Sequence, residues 1–139
     1  MLELITRCYA RFRLITYQGM FRLLRERDSS LSAAEAFAVD VIHLLEEPTI
    51  KEFADCLGIS QPNATYKVNN LVGKGYVIKT VSEDDKRECH LTVSDRFYKY
   101  YGASNSFIEN AVNTLAERYS PEELEQFGAM LRALTEAVK

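Results

Sequence analysis

The residues of this chain able to do covalent or metal chemistry are few and scattered. Cys8, Cys56 and Cys89 stand far apart and form no C-x-x-C pair, so their spacing suggests neither a disulfide framework nor a zinc finger. His43 and His90 lie in unrelated contexts, and an all-nitrogen metal site within one subunit is not expected. There is no glycine-rich phosphate loop and no nucleophile elbow, and Gly73-Lys74-Gly75 reads as a helix end. The expectation is a protein without catalytic activity, cofactor or metal. What the sequence concentrates instead is recognition chemistry. Ser60, Gln61, Asn63, Thr65, Tyr66, Asn69 and Asn70 crowd hydroxyls and amides into one short stretch, and Lys79, Asp85, Lys86 and Arg87 follow it. Amide side chains can pair bidentately with adenine, and cationic ones can neutralise phosphate.

Net charge alone argues against an anionic partner. Acids outnumber bases 20 to 17, for a formal net charge of -3, and the pI is near 5.5. The distribution says otherwise. Residues 1–27 carry six arginines against Glu3 and Glu26, whereas residues 28–48 carry five acids and no base. From Cys56 to Ser82 there is no acid at all, only Lys67, Lys74 and Lys79, so a polyanion would be tolerated along that window. Residues 100–139 return to net -3 and are not expected to face phosphate.

These side chains need rigid elements to position them. Leu4, Ile5, Cys8, Phe12, Ile15, Gly19 and Leu23 recur every three or four residues, which predicts one amphipathic helix over 2–27. At 1.5 Å per residue it would reach roughly 39 Å, more than so small a chain can cover, so packing on a second subunit is expected. Ser32-Ala33-Ala34-Glu35 is a capping box opening a helix over 33–46, with Phe37, Val41, Leu44 and Leu45 as its apolar positions and Pro48 beyond its end. Thr49-Ile50-Lys51-Glu52 opens a two-turn helix closed by Gly58, and Ser60 caps another from Gln61 to Lys74 that Gly75 ends. Tyr76–Val81 and Cys89–Val93 are rich in strand formers and flank a charged turn, predicting a hairpin. Helical spacing returns from Ser94 to Tyr119, softly interrupted at Gly102. Ser120-Pro121-Glu122-Glu123 then opens a last helix carrying Leu124, Phe127, Leu131, Leu134 and Val138. No apolar run approaches the roughly 18 to 20 residues needed to cross a bilayer, so a cytoplasmic protein without membrane attachment is expected.

Ala54-x-x-x-Gly58 fits a helix-turn-helix, with Ala64, Val68 and Leu71 as the buried face of its second helix. The hairpin that follows completes the order helix, helix, strand, strand of a winged helix. From Leu31 to Phe97 the sequence resembles the DNA-binding core of the MarR-type (multiple antibiotic resistance) regulators, through LSAAEAFAVDVIHLL, IKEFADCLGIS, VNNLVGKGYV and the wing EDDKRECHLTVS. The most specific element is Asp85-x-Arg87; in that family the Asp holds an Arg that enters the minor groove.

The resemblance implies a mainly α fold with a small β-hairpin wing. It implies a single MarR-like domain over 1–139, with a winged-helix DNA-binding lobe at 31–99 and dimerisation helices at 1–30 and 100–139. Leu4, Cys8 and Phe12 at one end, and Leu124, Phe127, Leu131 and Leu134 at the other, would then form the dimer contacts. It further implies a homodimer reading pseudo-palindromic double-stranded DNA, most often as a repressor, and a small aromatic or lipophilic effector held by helices one, two and five.

Departures from the family pattern fall in the recognition helix and at the end of the hairpin. Tyr66 stands where an Arg is common and Asn70 where another base is frequent, while Val93-Ser94 replaces the usual Leu-Thr and Phe97 a frequent Gly. An unusual site preference follows, and the amides favour an A·T-rich half-site. The missing bases and the net charge also suit an alternative, a winged-helix dimer used for protein interaction with weak DNA binding. A redox-sensing regulator built on Cys8, which Arg7 and Arg11 flank, is a further alternative. The family's organic-peroxide sensors hold their thiolate with tyrosines four, fourteen and twenty-five residues later, where this chain has Phe12, Arg22 and Ala33. A structural place for Cys8 on the apolar stripe is therefore favoured.

Overall fold

The computed structural model describes residues 1–25, 30–81, 88–101 and 106–138. The described chain divides into two compact units, Met1–Ala103 and Ser104–Lys139. Seven helices and one hairpin are described. They run as α1 (Leu2–Arg25), α2 (Ala33–Leu44), α3 (Ile50–Leu57), α4 (Gln61–Gly73), β1 (Val77–Val81), β2 (Cys89–Val93), α5 (Asp95–Tyr101), α6 (Ser106–Ala116) and α7 (Pro121–Ala137). The fold is a mainly α winged helix, as the sequence predicts.

Local chemistry sets most of the helix boundaries. Ser32, Thr49 and Ser120 each accept from the amide three residues on, and Glu35, Glu52 and Glu123 each return the bond to the cap's own amide. Two orphan donors per helix are satisfied in this way. Gly58 closes α3 at φ 63°, a left-handed conformation that costs a β-carbon-bearing residue energy. Helix α2 stops two residues short of its expected end. Glu46 and Glu47 adopt positive φ of 52° and 66°, which breaks the helical path, and β2 holds the chain there. Pro48 O accepts from Leu91 N at 2.9 Å, His90 Nδ1 lies 3.1 Å from Glu47 O, and Thr49 pairs with His90 in an isolated antiparallel bridge.

The core of the first unit lies where α2, α3, α4 and the hairpin converge. Val39, Phe53, Ala64, Val68, Leu71, Tyr76 and Leu91 are completely buried, with Ala54, Ile42, Val77 and Phe97 nearly so. Helix α4 buries the expected Ala64–Val68–Leu71 face. Helix α2 does not bury the stripe its spacing first suggests: Phe37 and Leu44 are exposed, and Ala36, Val39, Asp40 and Ile42 face inward. Because α2 is apolar nearly all round, periodicity could not choose between the two stripes. The hairpin is antiparallel with Val77 opposite Val93 and Val81 opposite Cys89.

Helix α1 is only partly covered. Met20 is buried and Leu24 packs on the core, but every residue of its first ten is exposed, and Leu4, Ile5, Tyr9 and Phe12 show 65%, 39%, 61% and 43% of their surface. In the second unit, α6 and α7 contain no buried residue, and Phe127, Met130, Leu131 and Leu134 are all exposed. No described helix is long and apolar enough to cross a membrane.

Candidate nucleic-acid interface

The helix-turn-helix is built by α3 and α4. Ala54, 3% exposed, lets the helices approach, and after Gly58 the chain needs only Ile59 to reach Ser60, the N-cap of α4. Ser60 Oγ accepts from Asn63 N at 3.4 Å. With Ala64, Val68 and Leu71 turned inward, the opposite side of α4 presents Gln61, Asn63, Tyr66, Asn69 and Asn70 to solvent. Tyr66 is the most prominent apolar surface there, 67% exposed. Thr65 is half-buried, and its hydroxyl donates to Gln61 O at 2.9 Å, so it braces the first turns.

The two flanks of this face differ. On the α2 side, Tyr66, Lys67, Asn70 and Leu71 line a cleft of about 230 Å³ with Ser32, Ala34, Glu35 and Ala38. On the hairpin side, Lys79 Nζ donates to Asn69 Oδ1 at 2.8 Å, which ties β1 to the middle of α4. The structure therefore brings Ser60, Gln61, Asn63, Thr65, Tyr66, Asn69, Asn70 and Lys79 onto one lobe. Asp85, Lys86 and Arg87 lie outside the described residues.

Two anchors that hold α4 were not evident from spacing. The first is Lys74, whose Nζ donates to Ser30 O at 2.6 Å and to both carboxylate oxygens of Glu35 at 2.8 Å. Burial would push the Glu35 carboxyl up, but the Lys74 hydrogen bond, the Ser32 backbone and side-chain hydrogen bonds, and the Lys74 charge together hold it below its ordinary 4.5. A depressed carboxylate stabilises the fold above its unfolded pKa and loses that contribution as pH falls through the folded value. The unfolding free energy of the wild type is thus expected to drop as pH falls below about 4.5. Glu35→Gln should cost on the order of 1 to 2 kcal/mol at neutral pH and flatten that acid limb. Urea titrations at several pH values measure both, and an acid limb of unchanged steepness would remove Glu35 from this role.

The second anchor is the junction after β2. Ser94 Oγ donates to Gly75 O at 2.6 Å, Ser94 N donates to Tyr76 O at 2.9 Å, and Arg96 Nη1 donates to Lys74 O at 2.8 Å. The Arg96 guanidinium also lies 4.7 Å from the centre of the Tyr76 ring, a favourable cation–aromatic arrangement. The turn from α4 into the hairpin, with Gly75 at φ 77°, is therefore fixed at its carbonyls. Neither anchor could be read from local pattern, because Glu35 and Lys74 are 39 residues apart and Glu35 already had a role as a capping residue.

The site is thus a hydroxyl- and amide-rich helix without acids, exposed beside a two-stranded hairpin. Residues 29–88 match the MarR family. The match spans the winged-helix segment through β1 and not the flanking helices. No protein of curated function matches the chain by sequence. Among solved structures, the chain resembles Streptococcus pneumoniae FabT in complex with DNA, at 23% identity and a TM-score of 0.58 over 99% of this chain and 96% of that one. A variant of S. aureus MepR aligns at 18% identity with a TM-score of 0.65, covering 100% and 98% of the two chains. The S. aureus MepR–DNA complex aligns at 20% identity with a TM-score of 0.51, covering 94% and 96%. At these identities the likeness establishes the fold across nearly the whole chain.

Proposed function

We propose that the protein is a sequence-specific, double-stranded-DNA-binding transcription regulator that acts as a homodimer on a pseudo-palindromic operator, as a repressor. The observation that carries this reading is the exposed face of α4, which has no acid and is set by two anchors beside the hairpin of a MarR-family core. Its supporting context is that FabT and MepR, which share the fold, have been solved with DNA. Two recognition helices related by a twofold axis would lie in successive major grooves, with α4 side chains at base edges and Arg87 of each wing reaching the minor groove. In this reading the lobe is residues 31–99, and residues 1–30 and 100–139 form the dimer region. The exposed apolar faces of α1 and of α7 support it, since surfaces of that kind mark interaction sites.

A small aromatic or lipophilic effector, the regulatory input that the resemblance implies, would release DNA only through different affinities for two conformations, roughly 1 to 3 kcal/mol of coupling. Cys8 sits among the exposed residues of α1, on the face assigned to the dimer contact.

Selection of randomised duplex DNA on the purified protein at about 150 mM salt tests the proposal. The expected product is an inverted repeat with half-sites about one helical turn apart; no enrichment from folded, dimeric protein contradicts it and favours the protein-interaction alternative. Arg87→Ala is expected to weaken binding to every sequence and to flatten the salt dependence by about one unit per wing. An unchanged slope takes Arg87 off the contact surface.

A further inference from the structure

We infer that Lys79 sets the base preference of Asn69, and that the pair reads guanine rather than adenine. This rests on the DNA-binding reading above and specifies one position of its half-site. Lys79 Nζ and Asn69 Oδ1 are 2.8 Å apart. An ammonium has three donors and no acceptor, so the amide oxygen must be the atom that faces it. The assignment of oxygen and nitrogen in this side chain is thus dictated by its partner. Asn69 is exposed, so its amide NH2 is left to donate to a partner outside the protein.

Adenine pairing requires an Asn oxygen to accept from N6–H while the NH2 donates to N7. Here that oxygen is held by a cation, which both occupies a lone pair and opposes the approach of another positively polarised hydrogen. What the pair offers the groove is donors, two on the amide nitrogen and two left on the ammonium. Guanine presents two adjacent major-groove acceptors, N7 and O6, whereas adenine presents one acceptor and one donor. The donor pair therefore matches guanine, whereas adenine's N6–H would have to approach an oxygen already held by a cation. The acid-free stretch from Cys56 to Ser82 keeps both remaining ammonium donors from a competing carboxylate within it. For Asn69 this replaces the adenine pairing expected from residue type, which is left to the other amides of α4.

The test repeats the randomised-duplex selection with wild type, Lys79→Met, Lys79→Arg and Asn69→Ala, each checked for native helicity. Wild type is expected to enrich guanine over adenine on the order of tenfold at one position of each half-site. Lys79→Met, which frees the amide oxygen, should reverse that preference toward adenine, Lys79→Arg should keep guanine, and Asn69→Ala should erase discrimination at that position alone. An adenine there in wild type, or a guanine unaffected by Lys79→Met, overturns the inference while leaving the regulator reading intact. Uniform weakening by Lys79→Met with no change of selected sequence also overturns it and makes Lys79 a phosphate contact. Failure of wild type to enrich any sequence overturns both.

Discussion

The double substitution Phe127→Glu with Leu131→Glu is expected to leave a folded winged-helix lobe that is monomeric and binds its operator on the order of 10² to 10⁴ times more weakly. Both side chains lie on α7 and are 44% and 46% exposed in the single chain, one helical turn apart, in line with Met130 and Leu134. Helices α6 and α7 bury no residue of their own, so within their unit they gain little apolar burial to offset the conformational entropy of ordering them. A second copy would supply that burial, and two glutamates would place unpaired charge in the middle of it. The loss in affinity follows from linkage of two half-site contacts: a dimer makes the second contact intramolecularly, and a monomer does not. Light scattering gives the mass, and titration against a fluorescent inverted repeat gives the affinity. A variant that remains dimeric, or a monomer that binds as tightly as wild type, removes α7 from the dimer contact.

The second large effect lies in the core under α4. Phe53 is completely buried on α3 among Ala64, Val68, Leu71 and Leu91 of the same cluster, and it is one of the largest side chains so enclosed. Phe53→Ala removes its transfer free energy and leaves a cavity that rigid neighbours close only in part, costing about 3 to 5 kcal/mol. Against a typical stability of about 5 to 15 kcal/mol that is a large fraction. The urea midpoint should fall with the slope unchanged, measured at fixed protein concentration because the proposed dimerisation would enter the apparent stability. DNA affinity measured where the variant is folded should change far less, because Phe53 holds α3 against α4 from behind the exposed face. A loss below about 1 kcal/mol would mean that the site collapses freely and that the lobe is less rigidly packed than its burial indicates.

How much of this was legible in sequence depended on whether the determinant was local. The caps at Ser32, Thr49 and Ser120 and the left-handed Gly58 are set by residues within four positions of each other, and they were found where the pattern placed them. The buried face of α4 was legible because that helix has only one apolar side. Helix α2 has two, so its spacing equally supported the Phe37–Val41–Leu44 stripe, of which the structure exposes Phe37 and Leu44. The polar residues of α4 were legible as a set of types, yet their differing surroundings were not. That Asn69 gives its oxygen to Lys79 depends on where the hairpin crosses α4, and that Lys74 reaches Glu35 depends on the packing of α2 on α4. Both are tertiary facts that no window of a few residues contains. The left-handed pair Glu46-Glu47 was missed for a related reason: the strand that holds it is more than 40 residues away in sequence.

The most direct test of a dimeric DNA-binding regulator is sedimentation of the purified protein with its selected inverted repeat and, in parallel, with a scrambled duplex of equal length across a range of salt. Two chains per inverted repeat, a preference over the scrambled duplex of 10³ or more, and affinity that falls linearly on logarithmic axes as salt rises are predicted. One chain per duplex, or equal affinity for the two sequences at every salt concentration, would contradict it.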